Sequence, residues 1–166
     1  MQRDWVKTVG DSISHYSALH KMFVDALTNT ALSEEQRHTC AMAAALAGGN
    51  GELVYEISMC SVLFGKPVRE TVVECVAVAN TVATVNHWGT SVGPSSSTSA
   101  LQAVQSPHHT ETHAMISLCA AVVYSDIPST IKLTRELQDN WDWSGGKIAA
   151  LVSLVGVVTS INKIVF

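Results

Sequence analysis

Acidic, phenolic and imidazole side chains occur in the first half of the chain at spacings that could support proton transfer. Glu52 and Glu56 are four residues apart, with Tyr55 between them, in a stretch of helical periodicity. Residues four apart lie on one face of a helix, so the two carboxylates should be neighbours. Carboxyl, imidazole and phenol groups that converge in an apolar site can move protons without a cofactor. The same pair would also suit a solvated helix face.

A second group of candidate residues lies at positions 108–113, which contain three histidines and one glutamate. His109 and His113 are four residues apart and could bind a metal ion from one helix face. Glu111 would then point away, unlike the zinc motif in which Glu follows the first His directly. We therefore expect no metal and no cofactor. A metal-dependent enzyme that uses His109 and His113 is kept as an alternative, and surface histidines of a first helical turn are the simpler interpretation.

The cysteine positions disfavour thiol chemistry. Cys40, Cys60, Cys75 and Cys119 are widely separated, so none of them forms the short dithiol motif of thiol–disulfide enzymes. The N-terminal residues lack the apolar core of a secretory signal, and unpaired cysteines fit a reducing compartment. We expect a cytoplasmic protein that is not a thiol peroxidase.

The composition indicates one domain that assembles with copies of itself. The 166 residues suffice for one core and are too few for two ordinary domains. Only 14% of the residues are charged, against about a quarter in typical soluble domains, while 47% are hydrophobic. Exposed apolar patches are limited on monomers, so part of the surface should be covered by a partner copy. We expect a homo-oligomer.

Charge and hydropathy argue against two other classes of partner. The formal net charge is −4, and no cluster of Lys or Arg provides a footprint for nucleic acid. The most apolar segment, residues 148–166, is interrupted by Ser153, Asn162 and Lys163, among other polar residues. A core helix explains that segment better than a membrane span does. We expect neither nucleic-acid binding nor membrane insertion.

Helical periodicity and capping signals predict an all-α fold. Residues 4–28 should form one amphipathic helix. A capping box at Ser33 and Gln36 should start a second helix that ends at Gly48 and Gly49. Further helices should span residues 53–64, residues 67–88, a segment after Pro107, a segment after Asp126 and a last segment from Ser144. Residues 89–106 are rich in Ser, Thr and Gly and predict a flexible loop. Trp143 should anchor the packing between the last two helices.

Several segments resemble the alkylhydroperoxidase D-like, or carboxymuconolactone decarboxylase, superfamily. The resemblance begins with Leu-Ser-Glu-Glu-Gln-Arg at residues 32–37, followed by an Ala-rich run to Asn50. Residues 64–74 are similar to the Gly and Glu pattern of a family helix start, and residues 148–163 are similar to the closing helix. The resemblance implies an all-helical fold that assembles as a trimer or hexamer. It divides the single domain, 1–166, into an N-terminal helix (1–31), a family core (32–88), the loop (89–106) and C-terminal helices (107–166).

This chain has no cysteine at either position of the family's Cys-x-x-Cys redox motif. Redox-active members carry a Glu after the Arg, then a Cys-x-x-Cys pair, then a His, and the matching positions here are His38, Asn50, Leu53 and Ile57. A peroxidase needs one thiolate to attack and a second thiol to resolve the intermediate, so that activity should not be carried over.

The resemblance implies a pocket near residues 50–53, where the Cys-x-x-Cys pair would lie, and implies which side chains would line it. Glu52 and His38 would move protons, together with His87 on a neighbouring helix. His87 could equally cap the C-terminus of its helix. Residues that would contact the substrate are Asn50, Tyr55, Glu56 and Trp88. We therefore expect a decarboxylase-like, cofactor-independent enzyme that acts on a small organic acid, lactone or similar metabolite. A non-catalytic member that binds a ligand or partner is the main alternative.

Overall fold

Eight α-helices and no strands make up the part of the chain that the computed structural model describes, residues 4–60, 66–92 and 110–164. The all-α prediction is therefore confirmed for these residues. In chain order the helices are α1 (Trp5–Ser12), α2 (Ser17–Thr28), α3 (Glu34–Ala47), α4 (Gly51–Cys60), α5 (Lys66–Val92), α6 (Glu111–Val123), α7 (Ile127–Trp141) and α8 (Gly145–Ile164).

The N-terminal segment forms two helices, so the prediction of one helix over residues 4–28 is wrong. Helix α1 ends at Ser12, and its C-cap Ile13 has a backbone outside the helical region and a fully buried side chain. The Ser14 hydroxyl donates to the Asp11 carbonyl at 2.9 Å, and the Tyr16 N–H donates to the Ile13 carbonyl at 2.9 Å. Serine side chains that bond nearby backbone groups compete with helix continuation. The helical spacing of apolar residues continues across the break because α1 and α2 each bury one face.

Helix α3 begins and ends where the capping signals predict. Ser33 Oγ accepts from the Gln36 N–H at 3.1 Å, and Gln36 Oε1 accepts from the Ser33 N–H at 2.9 Å. Gly48 caps the C-terminus, and Gly49 has a positive φ of 76° that favours glycine. The small side chains of α3 are buried from Thr39 to Ala45, which lets α6 and α8 pack closely against this helix.

The boundaries of α5 and α6 differ from the prediction. Helix α5 continues to Val92, so residues 89–92 are helical and do not belong to a loop. The rest of the predicted loop, Pro107 and the predicted end of the helix over residues 53–64 lie outside the described residues. Helix α6 begins at Glu111, and the side chain of Thr110 accepts from the His113 N–H at 3.1 Å as its N-cap. This cap fixes the first turn of α6, which carries Glu111 and His113.

The last two helices begin as predicted. Asp126 caps α7 by accepting from the Ser129 N–H, with Pro128 in the first turn. Ser144 caps α8, accepting from the Lys147 N–H at 3.1 Å. Helix α8 is long and apolar enough to cross a membrane by length and composition. One apolar face of α8, which includes Leu151, Leu154 and Val158, is buried against α2, α3 and α6.

Helix α6 lies at the centre of the C-terminal half. Its residues from Ala114 to Ala121 are all buried. Helices α5 and α7 both pack closely on α6 but touch each other at few points. A groove therefore remains between α5 and α7, with α6 as its floor.

Candidate functional site

The residues that the resemblance aligns with the Cys-x-x-Cys pair and the His of redox-active members are buried in the core. Leu53 and Ile57 are fully buried, and Asn50 is 6% exposed. Asn50 Oδ1 accepts from the Leu53 N–H at 3.1 Å, so Asn50 caps α4. Its Nδ2 donates to Asn162 Oδ1 on α8 at 2.9 Å. Both ends of the Asn50 amide are therefore engaged within the protein, and the predicted contact between Asn50 and a substrate has no geometric support here.

The described cysteines are buried thiols without the properties of a redox centre. Cys40, Cys75 and Cys119 are all buried and unbridged. Burial raises the pKa of Cys75 to about 11. Burial and the neighbouring Cys40 thiol raise the pKa of Cys119 well above its usual range. Because the thiolate is the reactive form, Cys75 and Cys119 are poor nucleophiles at neutral pH.

His38 packs against the N-terminal helix. The Trp5 indole Nε1–H donates to His38 Nδ1 at 2.7 Å, and the two rings meet edge to face at 5.6 Å. His38 Nε2 lies 3.8 Å from Glu34 Oε1. Burial lowers the pKa of His38, with Glu34 opposing that shift. The accepting Nδ1 requires the neutral imidazole, so this histidine is positioned to hold α1 in place.

Among the predicted site residues on α4, Glu52 and Tyr55 are exposed and Glu56 is half-buried. Glu52 and Glu56 do share one face of α4, as predicted, and line a shallow groove there together with Tyr55. Tyr55 is 57% exposed. Neither His38 nor His87 belongs to the described residues that line this groove. The structure thus brings three of the expected residues together without the imidazole that the mechanism needs.

His87 and Trp88 form a separate pair on α5. Both side chains are exposed, and their rings meet edge to face at 5.1 Å. His87 lies inside α5 and not at its end, because the helix continues to Val92. The C-terminal capping role considered for His87 is therefore wrong.

The metal alternative receives no support from the described part of the chain. His113 is described, whereas His109 lies outside the described residues. Among residues 4–60, 66–92 and 110–164, no three His, Cys, Asp or Glu side chains come together as a metal site.

A wider polar cleft lies where the N-terminal ends of α3 and α6 meet α5. We call it the α3–α6 cleft, and its volume of about 470 Å³ suits a small metabolite. Thr39 and Met115, each 2% exposed, are its most deeply buried residues. The lining residues are Ser33, Glu35, Gln36, Thr39, Thr71, Thr110, Glu111, Thr112, His113 and Met115.

The carboxylate of Glu111 is held in the α3–α6 cleft by two hydrogen bonds and one ion pair, all to the same oxygen. Its Oε1 accepts from Trp143 Nε1 at 2.9 Å and from Gln36 Nε2 at 3.3 Å, and lies 3.7 Å from Lys147 Nζ. The Lys147 ammonium also lies 4.5 Å from the Trp143 ring centre. Among the described contacts, none involves the other carboxylate oxygen, Oε2. Glu111 is therefore a fixed acceptor.

His113 lines the same cleft as Glu111 although the two residues are two positions apart. Such residues normally point to different sides of a helix. Here the cleft lies over the first turn of α6, and all four residues from Thr110 to His113 border it. The cleft thus combines a fixed carboxylate, an imidazole and several hydroxyl groups, which can bind a polar molecule and exchange a proton with it.

Sequence reasoning considered Glu111 and His113 only as parts of a metal motif. The sequence carries no local signal for this site, because the residues that bond Glu111, namely Gln36 and Trp143, are distant from it along the chain. Trp143 was expected to be a packing anchor, and its burial agrees with that role.

No protein-family model matches the sequence. No curated protein matches it either.

Proposed function

We propose that this protein is a cofactor-independent acid–base enzyme that acts on a small polar metabolite in the α3–α6 cleft. The observation that carries the proposal is the Glu111 carboxylate, held by Trp143, Gln36 and Lys147, beside His113 in one cleft. A side chain locked by several contacts can position a substrate within the tolerance that catalysis needs.

Each group in the cleft has a distinct role in this mechanism. Oε2 of Glu111 accepts a hydrogen bond from a hydroxyl or N–H group of the substrate and orients it. His113 takes or gives the proton, because imidazole is the side chain best suited to do so near neutral pH. The threonine hydroxyls, such as that of Thr39, provide further donors and acceptors.

The charges that line the cleft narrow the class of substrate. Glu35 and Glu111 are both acidic, and Lys147 is already engaged with Glu111. Anionic substrates would be repelled, which disfavours the small organic acids that the family resemblance suggests. A neutral carbonyl compound with hydroxyl groups, such as a hydroxylated lactone, fits the lining better.

We also propose that the chain is a dithiol-free member of the alkylhydroperoxidase D-like superfamily. This placement rests on the resemblance of residues 32–37, 64–74 and 148–163 to the family's sequence pattern. Buried Leu53 and Ile57 explain how a member could keep the scaffold after losing its thiols. On this view, chemistry has moved from the start of α4 to the start of α6.

Exchange of substrate protons with solvent tests the enzyme proposal without knowledge of the product. The protein is incubated in D₂O with a panel of lactones and other neutral carbonyl compounds, and proton NMR follows the loss of C–H signals. An acid–base enzyme that removes a proton from carbon should catalyse deuterium incorporation into a compound that it binds.

Two variants separate the α3–α6 cleft from the site expected on α4. His113→Asn should lower the exchange rate by about 100-fold or more, because a general base is lost. Glu52→Gln should leave the rate unchanged. The reverse pattern, with Glu52→Gln inactive and His113→Asn active, would return the active site to α4.

Non-catalytic ligand binding remains the second candidate function, favoured by the solid core at the dithiol position and the open groove beside Tyr55. The same panel distinguishes it. Compounds that shift the NMR signals of the α3–α6 cleft without any deuterium incorporation would identify a binding protein.

A further inference from the structure

The groove between α5 and α7 forms a second site, separate from the α3–α6 cleft. We call it the α5–α7 groove. It contains a cavity of about 40 Å³, and the small residues Ser117 and Ala121 of α6 lie at its floor. Val78, Val82 and Leu133 provide apolar walls. The groove is thus narrow, mostly apolar and partly enclosed.

A buried carboxylate lies in this groove. Asp126 lines the cavity and is only 6% exposed. Its Oδ1 accepts from Asn86 Nδ2 at 3.0 Å and from the Ser129 N–H at 3.3 Å, and its Oδ2 accepts from Asn86 Nδ2 at 3.2 Å. All these partners are donors, which is the environment of an ionised carboxylate.

Among residues 4–60, 66–92 and 110–164, the charge of Asp126 is only partly compensated. In the described part of the chain, no Lys, Arg or His side chain forms an ion pair with Asp126. The N-terminus of α7 supplies about half a unit of positive charge. Lys132 and Glu136 also line the groove, and their formal charges cancel. The described lining of the groove therefore has an excess of negative charge beside apolar walls. Buried charges are normally paired, so a positively charged ligand would complete this site.

We propose that the α5–α7 groove binds a small primary alkylammonium ion, with its ammonium group against Asp126 and its alkyl group against Val78, Val82 and Leu133. A cavity needs roughly 10–15 Å³ of such volume for each water-sized group. The enclosed part therefore accepts about three non-hydrogen atoms, as in ethylammonium. A longer alkyl tail would extend along the open groove. This site is independent of the function proposed for the α3–α6 cleft.

Titration with ethylammonium chloride tests the proposal. Two-dimensional ¹H–¹⁵N NMR of the full chain follows the backbone amides of Val82, Ala121 and Ser129, with ionic strength held constant by sodium chloride. We expect saturable shifts at these amides, with a Kd in the millimolar range for so small a ligand. Ethanol, which has the same size without the charge, should produce no saturable shift. The amide of His113 should not respond, because it belongs to the α3–α6 cleft.

Two variants test the charge and the cavity separately. Asp126→Asn keeps an oxygen for the Ser129 N–H, and its amide can pair with Asn86 after rotation, so the fold should persist. It should weaken ethylammonium binding by about tenfold or more, as expected for loss of a charge-assisted hydrogen bond. Ala121→Leu should block binding by filling the floor of the cavity.

Asp139→Asn is the matched control, because Asp139 is an exposed acid on the same helix outside the groove. It should bind ethylammonium as the unmodified protein does. The proposal is overturned if the unmodified protein shows no saturable shift, if ethanol binds equally well, or if folded Asp126→Asn binds as tightly as Asp139→Asn.

Discussion

A histidine does not become catalytic by its type alone, and His38, which the sequence predicts to be catalytic, illustrates the point. The same imidazole that could move a proton instead accepts the Trp5 indole N–H at 2.7 Å. That bond uses the lone pair of Nδ1, which exists there only on the neutral ring. Because Trp5 is 1% exposed, the bond joins α1 to the core and gives His38 a role in stability.

The lowered pKa of His38 predicts a specific pH dependence of stability. Its folded-state pKa lies below the unfolded value of 6.5, chiefly because of burial. As the pH falls through 6.5, the unfolded chain binds a proton that the folded protein does not. The free energy of unfolding should therefore decrease, by at most about 1.4 kcal/mol per pH unit, until the folded pKa is reached.

Urea denaturation on both sides of pH 6.5 measures this effect. His38→Gln cannot bind the proton, while its side-chain oxygen can still accept from Trp5, so its stability should depend less on pH. His15→Gln, at an exposed position, should keep the dependence of the unmodified protein. Equal slopes in His38→Gln and the unmodified protein would contradict the assignment.

At the scale of elements, three helices meet at one small contact. Helix α3 ends at Gly48, α4 is capped by Asn50, and Asn162 of α8 bonds Asn50. A Cβ at Gly48 would collide with the Asn162 amide nitrogen. Gly48 has an ordinary negative φ, so glycine is needed here for close approach and not for backbone conformation.

Gly48→Ala should therefore destabilise the protein by about 1–3 kcal/mol through overpacking. Asn162→Ala alone should cost about 1 kcal/mol by removing the bond to Asn50. In the double variant the alanine at position 48 no longer meets the amide, so its additional cost should nearly vanish. Urea denaturation of all four proteins measures this coupling.

Gly156→Ala is the control for that cycle. No atom lies within 4 Å of the position that its Cβ would occupy on α8. The substitution should therefore stabilise the helix by roughly 0.5–1 kcal/mol. Additive effects of Gly48→Ala and Asn162→Ala would show that the three helices do not meet as described.

At the scale of the whole molecule, the low charge content has a visible counterpart on the surface. Tyr55 and Met59 lie one turn apart on α4, and each is 57% exposed. Neighbouring large apolar side chains on a surface with few charges are characteristic of protein–protein contacts. They make this face of α4 the preferred candidate for the expected contact between copies.

We expect sedimentation velocity to find a trimer or hexamer, as the family resemblance implies. Met59→Lys should weaken the assembly by placing an unpaired charge in the contact. Met22→Lys, at an equally exposed position on α2, should leave the assembly intact. A monomer at all concentrations would refute the expectation, and dissociation only by Met22→Lys would move the interface to α2.

Local signals in the sequence predicted much of the fold. The capping box at Ser33, the glycines after α3 and the Asp126 and Ser144 caps involve residues within a few positions of each other, so their bonds follow from local order. The break after α1 was missed because the buried face continues through Ile13 with helical spacing. Glu52, Tyr55 and Glu56 were correctly placed on one face for the same local reason.

The sequence by itself determined the helical class, several helix ends and the absence of a dithiol motif. Only the tertiary structure decided what surrounds each reactive side chain. His38 accepts a hydrogen bond from Trp5, and Asn50 donates one to Asn162. Glu111 accepts hydrogen bonds from Gln36 and Trp143 and forms an ion pair with Lys147. These contacts join residues far apart in the chain, and the packing of helices brings them together. Helix formation depends on neighbours along the chain, whereas the chemistry of a site depends on neighbours in space.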